Sequence, residues 1–253
     1  MPVYEEITDP LRVNIVGDVT GTVLDDGGAV RNVKAYGAVG DGITDDTAAI
    51  QAALNDRGTV LLPPGKYLIT SELTMPNRTR LVGSGSFSWS PVLNHESWLI
   101  WGGDADDTKA VIRCSTAAVG TEPSSALTGV QIENVLVDAN YLAGYGVYVA
   151  YAINDSRFRN ITVKKATQHG FWAAKLWYAS IEKIVARNCQ GCGITIGKKP
   201  GGWDSSAVIN GVYIADLRAA QCGEDEAFDE DSNLEWGYGV GYYPGNGCIL
   251  RGS

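Results

Sequence analysis

The sequence predicts an all-β solenoid in which coils of two short strands stack behind one N-terminal helix. Three observations predict it. An apolar pair recurs as Ile132-Glu-Asn-Val135, Phe158-Arg-Asn-Ile161, Ile181-Glu-Lys-Ile184 and Ile209-Asn-Gly-Val212, at spacings of 26, 23 and 28 residues. A second strand opening on glycine follows each: Gly146-Val-Tyr-Val149, Gly170-Phe-Trp-Ala173, Gly193-Ile-Thr-Ile196 and Gly247-Cys-Ile-Leu250. Self-similarity at this period means stacked β units. The polar columns agree with it. One place after the first apolar position stand Glu133, Arg159, Glu182 and Asn210, and six places after it Asp138, Lys164 and Arg187. Charges that change sign from one unit to the next suit cross-strand neighbours. Asn134 and Asn160 share a third column, where amides can satisfy turn backbone.

The elements follow in order. Residues 1–30 hold Pro2, Pro10, four glycines and one extended candidate, Leu11–Val16, too little for a domain of its own. They read as a strap that packs on another chain, or as a flexible tail. In residues 33–69, Gly37, Gly40 and Gly42 supply turn conformations. Thr44 or Asp45 caps a short helix, Asp45 and Asp46 suit the positive end of its dipole, and Ala49, Ile50, Ala53 and Leu54 share one face. Gly58 lies past its end. Strands are expected at Thr59–Leu62, Tyr67–Ile69, Thr79–Val82, Leu99–Trp101 and Ala110–Arg113, with loops at 84–97 and 115–126. A longer loop between Ile214 and Gly247 carries an acidic run and then a Gly/Tyr-rich run.

The stretch from Val33 to Ile69 resembles the start of the pectate-lyase-like right-handed β-helix family. The residues that carry the resemblance are Tyr36-Gly37-Ala38, Gly40-Asp41-Gly42, Thr44-Asp45-Asp46-Thr47, Ala49-Ile50-Gln51, Leu62-Pro63-Pro64-Gly65 and Tyr67. It covers about residues 31–85. The resemblance implies a right-handed single-stranded parallel β-helix whose N-terminal mouth is capped by the helix. It gives Asp41, Asp45 and Asp46 structural roles. The expected organisation is a strap at 1–30, a cap at 31–58 and rungs at 59–253, incomplete at the C-terminal end because no cap follows the last strand.

Bulk numbers exclude some functions. A net charge of −9 speaks against a binder that tracks nucleic-acid phosphates. No apolar run is long enough to span a membrane. The start MPVYEEITDPL lacks the apolar core of a signal peptide, which implies synthesis in the cytoplasm. The five cysteines Cys114, Cys189, Cys192, Cys222 and Cys248 are an odd count and read as free thiols filling small stacked positions. Cys189-x-x-Cys192 lacks partners for a zinc site, so no metal and no cofactor is expected.

Glycoside cleavage needs two neighbouring carboxylates. The long loop offers Asp225, Glu226 and Glu230 as catalytic candidates, beside Glu224, Asp229 and Asp231; Asp104, Asp106 and Asp107 form an earlier cluster. Solvated loop charge is the competing reading. Gln168-His169-Gly170 lacks the first glycine of the Gly-His-Gly stretch of polygalacturonases, and their other stretches are missing. Tyr148 and Trp172 occupy one outward position on consecutive rungs. With Tyr145, His169 and Trp177 they form an aromatic patch suited to sugar rings or to subunit contact.

The resemblance and the strap together imply a phage tail spike or tail fibre component. It would sit in the virion as a homotrimer, joined to other tail proteins through residues 1–30. It would contact host surface polysaccharide and in one version cleave it. A free bacterial polysaccharide lyase or glycoside hydrolase and a non-catalytic tail adaptor are the alternatives.

Overall fold

The computed structural model describes residues 30–86, 96–197, 209–223, 240–242 and 249–251. The strap, the carboxylates Asp225, Glu226 and Glu230, and Cys248 lie outside the described residues.

The strands form a parallel β-helix with two walls. The first wall runs Val30–Asn32, Gly58–Leu62, Thr79–Gly83, Gln131–Asp138, Arg157–Lys164, Ser180–Arg187, Tyr213–Ala220 and Ile249–Arg251. Asp41–Asp45, Gly65–Ile69 and Ser97–Trp101 extend it. The second wall runs Leu73–Thr74, Asp106–Cys114, Ala143–Ile153, His169–Trp177, Ile194–Ile196 and Val240–Tyr242. The pairs that join successive coils are parallel. One core lies between the walls. Ile132, Phe158, Ile181 and Ile214 stack through it in register, all fully buried. Phe158 meets Phe171 of the second wall edge-to-face at 5.6 Å.

Left-handed residues set the coil's corners. Asn134, Asn160, Lys183 and Asp216 have φ of 58°, 52°, 53° and 54°, each midway along a first-wall strand. Asn160 Nδ2 donates to Asn134 Oδ1 at 2.8 Å, so the predicted asparagine column links neighbouring coils directly. A second corner stacks Arg57, Arg78, Gly129, Asp155, Tyr178 and Gly211, with φ from 50° to 63°. Asparagine, aspartate and glycine tolerate this region; lysine and tyrosine adopt it at a cost.

These corners correct the fourth coil. The sequence places Ile209 under Ile181 and Asn210 under Glu182, yet the structure pairs Ile214 with Ile181 and Ala215 with Glu182. Ile209 pairs instead with Leu176 on the second wall. Ile209-x-x-Val212 imitates the apolar spacing, but Gly211 belongs to the Tyr178 corner and Asp216 to the Lys183 corner. The matching second strand is also displaced. Val240–Tyr242 pairs with Ile194–Ile196, whereas Ile249–Arg251 pairs with Tyr213–Ala215 on the first wall. A Gly/Tyr-rich run hides the former because it has no apolar period.

The cap is built as its residues suggest, with one shift. The helix spans Thr47–Asn55 and buries Ile50, Ala53 and Leu54 against the first coils. Asp46 occupies the N-cap position, one place later than expected, but the capping bond comes from Asp45, whose Oδ1 accepts from Thr47 N–H at 3.0 Å, while the Asp46 carboxylate turns away from the helix. It accepts from the backbone N–H groups of Val39 and Gly40 at 2.5 and 3.0 Å. Gln51 joins helix to coil: its Oε1 accepts from Thr74 N–H at 2.8 Å and its Nε2 donates to Thr74 O at 3.0 Å.

The cysteines fill the core as expected. Cys114, Cys189 and Cys222 are buried and form no disulfide among the described residues. Backbone bonds from Gln190 to Ala166 and from Gly223 to Cys189 stack Ala166, Cys189 and Cys222 at one position of three coils. Burial pushes the Cys114 thiol well above its usual range, so it is inert.

Candidate functional site

The acidic residues of the cap are engaged in turns. Asp41 accepts from Ile43 and Thr44 N–H at 2.8 and 2.7 Å and from Thr44 Oγ1 at 2.9 Å. Asp45 accepts from Thr47 Oγ1 at 2.5 Å and Thr70 Oγ1 at 2.7 Å. Desolvation raises the Asp45 pKa, but hydrogen bonds from Thr47 and Thr70 outweigh it and hold the carboxyl below its ordinary value. Of the earlier cluster, Asp106 accepts from Thr108 N–H and Oγ1 at 2.8 and 2.6 Å, and Asp107 accepts from Thr167 Oγ1. Each of these has a local structural partner.

The aromatic column is in register but covered. Tyr148 and Trp172 are paired residues whose rings stack at 4.6 Å with planes 12° apart. They are 0% and 3% exposed, in a small outer cluster with Ala110, Ala150 and Ala174, against which Val119 packs. The segment around Val119 forms a strap over the second wall. Gly120 N–H donates to Tyr148 Oη at 3.0 Å, and Lys175 Nζ binds Glu122 Oε1 at 2.6 Å. The expectation of an open patch is therefore corrected: Tyr148 and Trp172 present no ring face to solvent in this chain. Tyr145 stays partly exposed beside His169, whose Nδ1 accepts from Cys192 N–H at 3.1 Å. Trp177 lies apart and pairs with Tyr151 at 5.6 Å.

The first wall carries a groove instead. Its outward columns are Leu136–Thr162–Val185–Arg218 and Asp138–Lys164–Arg187–Ala220. On the earlier coils these columns are closed by ion pairs and rings. Lys164 Nζ lies 3.3 Å from Asp138 and 3.9 Å from the centre of the Trp98 ring. Glu133, in the adjoining outward column, is held by both Nε and Nη2 of Arg80. From Ser86 onward a cavity of about 500 Å³ opens, lined by Asn160, Thr162, Lys183, Val185, Arg187, Asp216, Arg218 and Ala220. That volume falls in the range of small-ligand sites, about 300–1,000 Å³. The groove crosses three coils, roughly 10 Å at about 4.8 Å per coil.

Most of its lining residues are polar and most of its charges are cationic, set among apolar surface. Lys183 and Asp216 are held in the left-handed region, which turns both side chains at the bend between the strand halves. Arg218 Nε donates to Asp216 Oδ1 at 2.9 Å. Thr162 is 2% exposed and its Oγ1 has no hydrogen-bond partner among the described residues. Sequence reasoning missed Thr162, Lys183 and Arg218. The column holding Thr162 and Val185 was legible, but Arg218 joins it only in the Ile214 register.

Residues 30–99 match the family described as rhamnogalacturonase A/epimerase, pectate lyase-like. The matched segment contains the cap, its three aspartates and the first coils, and it ends before the groove's cationic coils. Among curated relatives, the non-secreted LysM effector LysM15 of Penicillium expansum is 43% identical over 68 residues, which is 21% of this chain and 5% of that protein. The pre-neck appendage protein of Bacillus phage B103 is 41% identical over 54 residues, 21% of this chain and 6% of that one. The chain thus spans less than a tenth of the length of these relatives. In three dimensions, ORF18 of Geobacillus virus E2 superposes with a TM-score of 0.62 at 21% identity, over 88% of this chain and 40% of that one. The two share the fold.

Proposed function

We propose that this chain is part of a phage tail spike or tail fibre component that contacts host surface polysaccharide through the outer groove of its first wall. The observation that carries the reading is the groove itself: a trough across three coils, lined by polar and charged side chains with apolar surface between their polar atoms, suits an extended ligand such as a glycan better than a compact one. The local match to a phage pre-neck appendage protein supports the virion setting. In that setting the chain is a homotrimer, residues 1–30 join other tail proteins, and Tyr145 and Trp177, with part of their rings exposed, serve contact with sugar or subunit. Tyr148 and Trp172 belong to contact only if the strap around Val119 is displaced.

A bond-breaking version is favoured by the family description, which names a glycosidase and an epimerase. It assigns Asp225, Glu226 and Glu230 as the carboxylates. The test incubates the purified chain with immobilised capsular and O-antigen polysaccharides. Retention without new reducing ends or unsaturated uronate supports binding alone. Release that Asp225→Asn and Glu226→Gln abolish supports cleavage. Neither retention nor release across the panel, together with a monomer in light scattering, overturns the reading.

A further inference from the structure

We propose that the groove selects acidic polysaccharide, with Lys183 and Arg218 meeting the carboxylate, sulfate or phosphate groups of the glycan. This rests on the polysaccharide reading above and names its ligand class.

The chain carries a net charge of −9, yet the described lining of this one cavity holds three cations and a single anion. Elsewhere on the outer faces, Arg80, Lys164 and Lys175 are each matched to a carboxylate within 3.3 Å. Lys183 is exposed and forms no ion pair among the described residues. Arg218 spends Nε on Asp216 while 68% of its side chain stays exposed, and a guanidinium has five N–H donors to offer. The cations occupy two consecutive coils, so they meet a ligand at successive points along its length. Beside them the Thr162 hydroxyl, buried and unpartnered, lies in the same outward column as Val185 and Arg218. A buried hydroxyl left unpaired costs stability, and a ligand hydroxyl would supply the missing bond. Neutral glycans favour open aromatic faces; none of the described lining residues is aromatic, and the stacked pair Tyr148 and Trp172 lies under the strap of the other wall.

The test titrates the full chain with four probes of similar length: oligogalacturonate, sulfated dextran oligosaccharide, neutral dextran oligosaccharide and oligodeoxythymidine. Lys183→Asn is the informative change. It removes the charge and places at the left-handed corner the residue already found above it at 134 and 160, so the fold is kept. An exposed charge contact is worth up to about 1 kcal/mol, or roughly fivefold in affinity. Lys183→Asn with Arg218→Gln should therefore weaken an acidic glycan about ten- to twenty-fivefold while the double variant still unfolds in a single cooperative transition near the parent's melting temperature. Thr162→Val should weaken it further without altering its salt dependence. Neutral dextran bound as tightly as the acidic probes, or acidic binding indifferent to the double change, overturns the inference while leaving the polysaccharide reading standing. Binding of none of the glycans overturns it as well. Tighter binding of oligodeoxythymidine than of either acidic glycan overturns it in favour of a phosphate-backbone ligand.

Discussion

Lys183 is also the sharpest test of the coil geometry. It sits at φ 53° between Glu182 and Ile184, both of which pair normally with the coil before them. Its side chain is exposed and forms no ion pair among the described residues, so substitutions there act mainly through the backbone. The left-handed region costs an L-residue about 1–2 kcal/mol, more for a β-branched one and less for asparagine. Lys183→Asn should gain about 0.5–1 kcal/mol and Lys183→Val should lose about 1–2 kcal/mol, a gap of roughly 2 kcal/mol. One place earlier, Glu182 is extended strand, where valine is favoured over asparagine. Glu182→Val should therefore be more stable than Glu182→Asn. Urea unfolding read by circular dichroism measures all four, with the slope checked for constancy because solenoids can unfold in parts. A valine at 183 as stable as asparagine would refute the left-handed corner and the register built on it.

Three further outcomes follow from packing and titration. Phe158→Ala, at a fully buried position against Phe171, should cost about 3–5 kcal/mol and lower the urea midpoint, while Phe158→Leu should lose much less. Gly146→Ala should prevent folding or cost still more, because its Cβ would stand 2.0 Å from Val163 Cγ1 and 2.9 Å from Gly170 O; soluble expression and melting temperature report it. Asp45→Asn should narrow the dependence of stability on acid. The folded carboxyl titrates below its ordinary value of 3.8, so its contribution is present above about pH 4 and is lost as pH falls through the folded pKa. The melting temperatures of parent and variant should therefore differ at pH 7 and converge towards pH 3.

Much of this fold was legible because the solenoid repeats its constraints. Ile132, Phe158 and Ile181 announce the core by period alone, and the sign change from Glu133 to Arg159 to Glu182 fixes their register. The cap was legible residue by residue, down to Gln51, whose amide binds the Thr74 backbone. What failed was local imitation. Ile209 and Val212 copy the apolar spacing of Ile181 and Ile184, but register is set by the left-handed corner, and Gly211 satisfies a different one. The aromatic column was placed on the right face, yet sequence cannot say that the segment around Val119 lies over it. That cover depends on two contacts distant in sequence, Glu122 with Lys175 and Gly120 with Tyr148.

The two walls therefore offer a ligand different surfaces, and the difference has a physical cause. On the second wall the outward residues are large and apolar: Tyr148 and Trp172 between alanines. Exposed together they would form a patch of the kind soluble chains cover, and the strap covers it, fastened by a largely buried ammonium–carboxylate pair. On the first wall the outward residues are mostly charged or polar, with Leu136, Val185 and Ala220 among them, and hydration suffices for the polar ones. The early coils nevertheless close by pairing Arg80 with Glu133 and Lys164 with Asp138. The second pair follows a change of sign within one column, while the first reaches diagonally from the Gln131 column to the Glu133 column. Along the Asp138 column the sign stops changing at Lys164: Arg187 repeats the positive charge and Ala220 follows it, while Val185 is followed by Arg218. Cations accumulate where the pattern breaks, and the cavity lies at that break. The proposed ligand surface is thus the place where the rule that stabilises the stack is suspended, which is why a variant restoring a carboxylate there, Ala220→Glu, should lower the groove's positive charge and weaken the binding of an acidic glycan measured by titration.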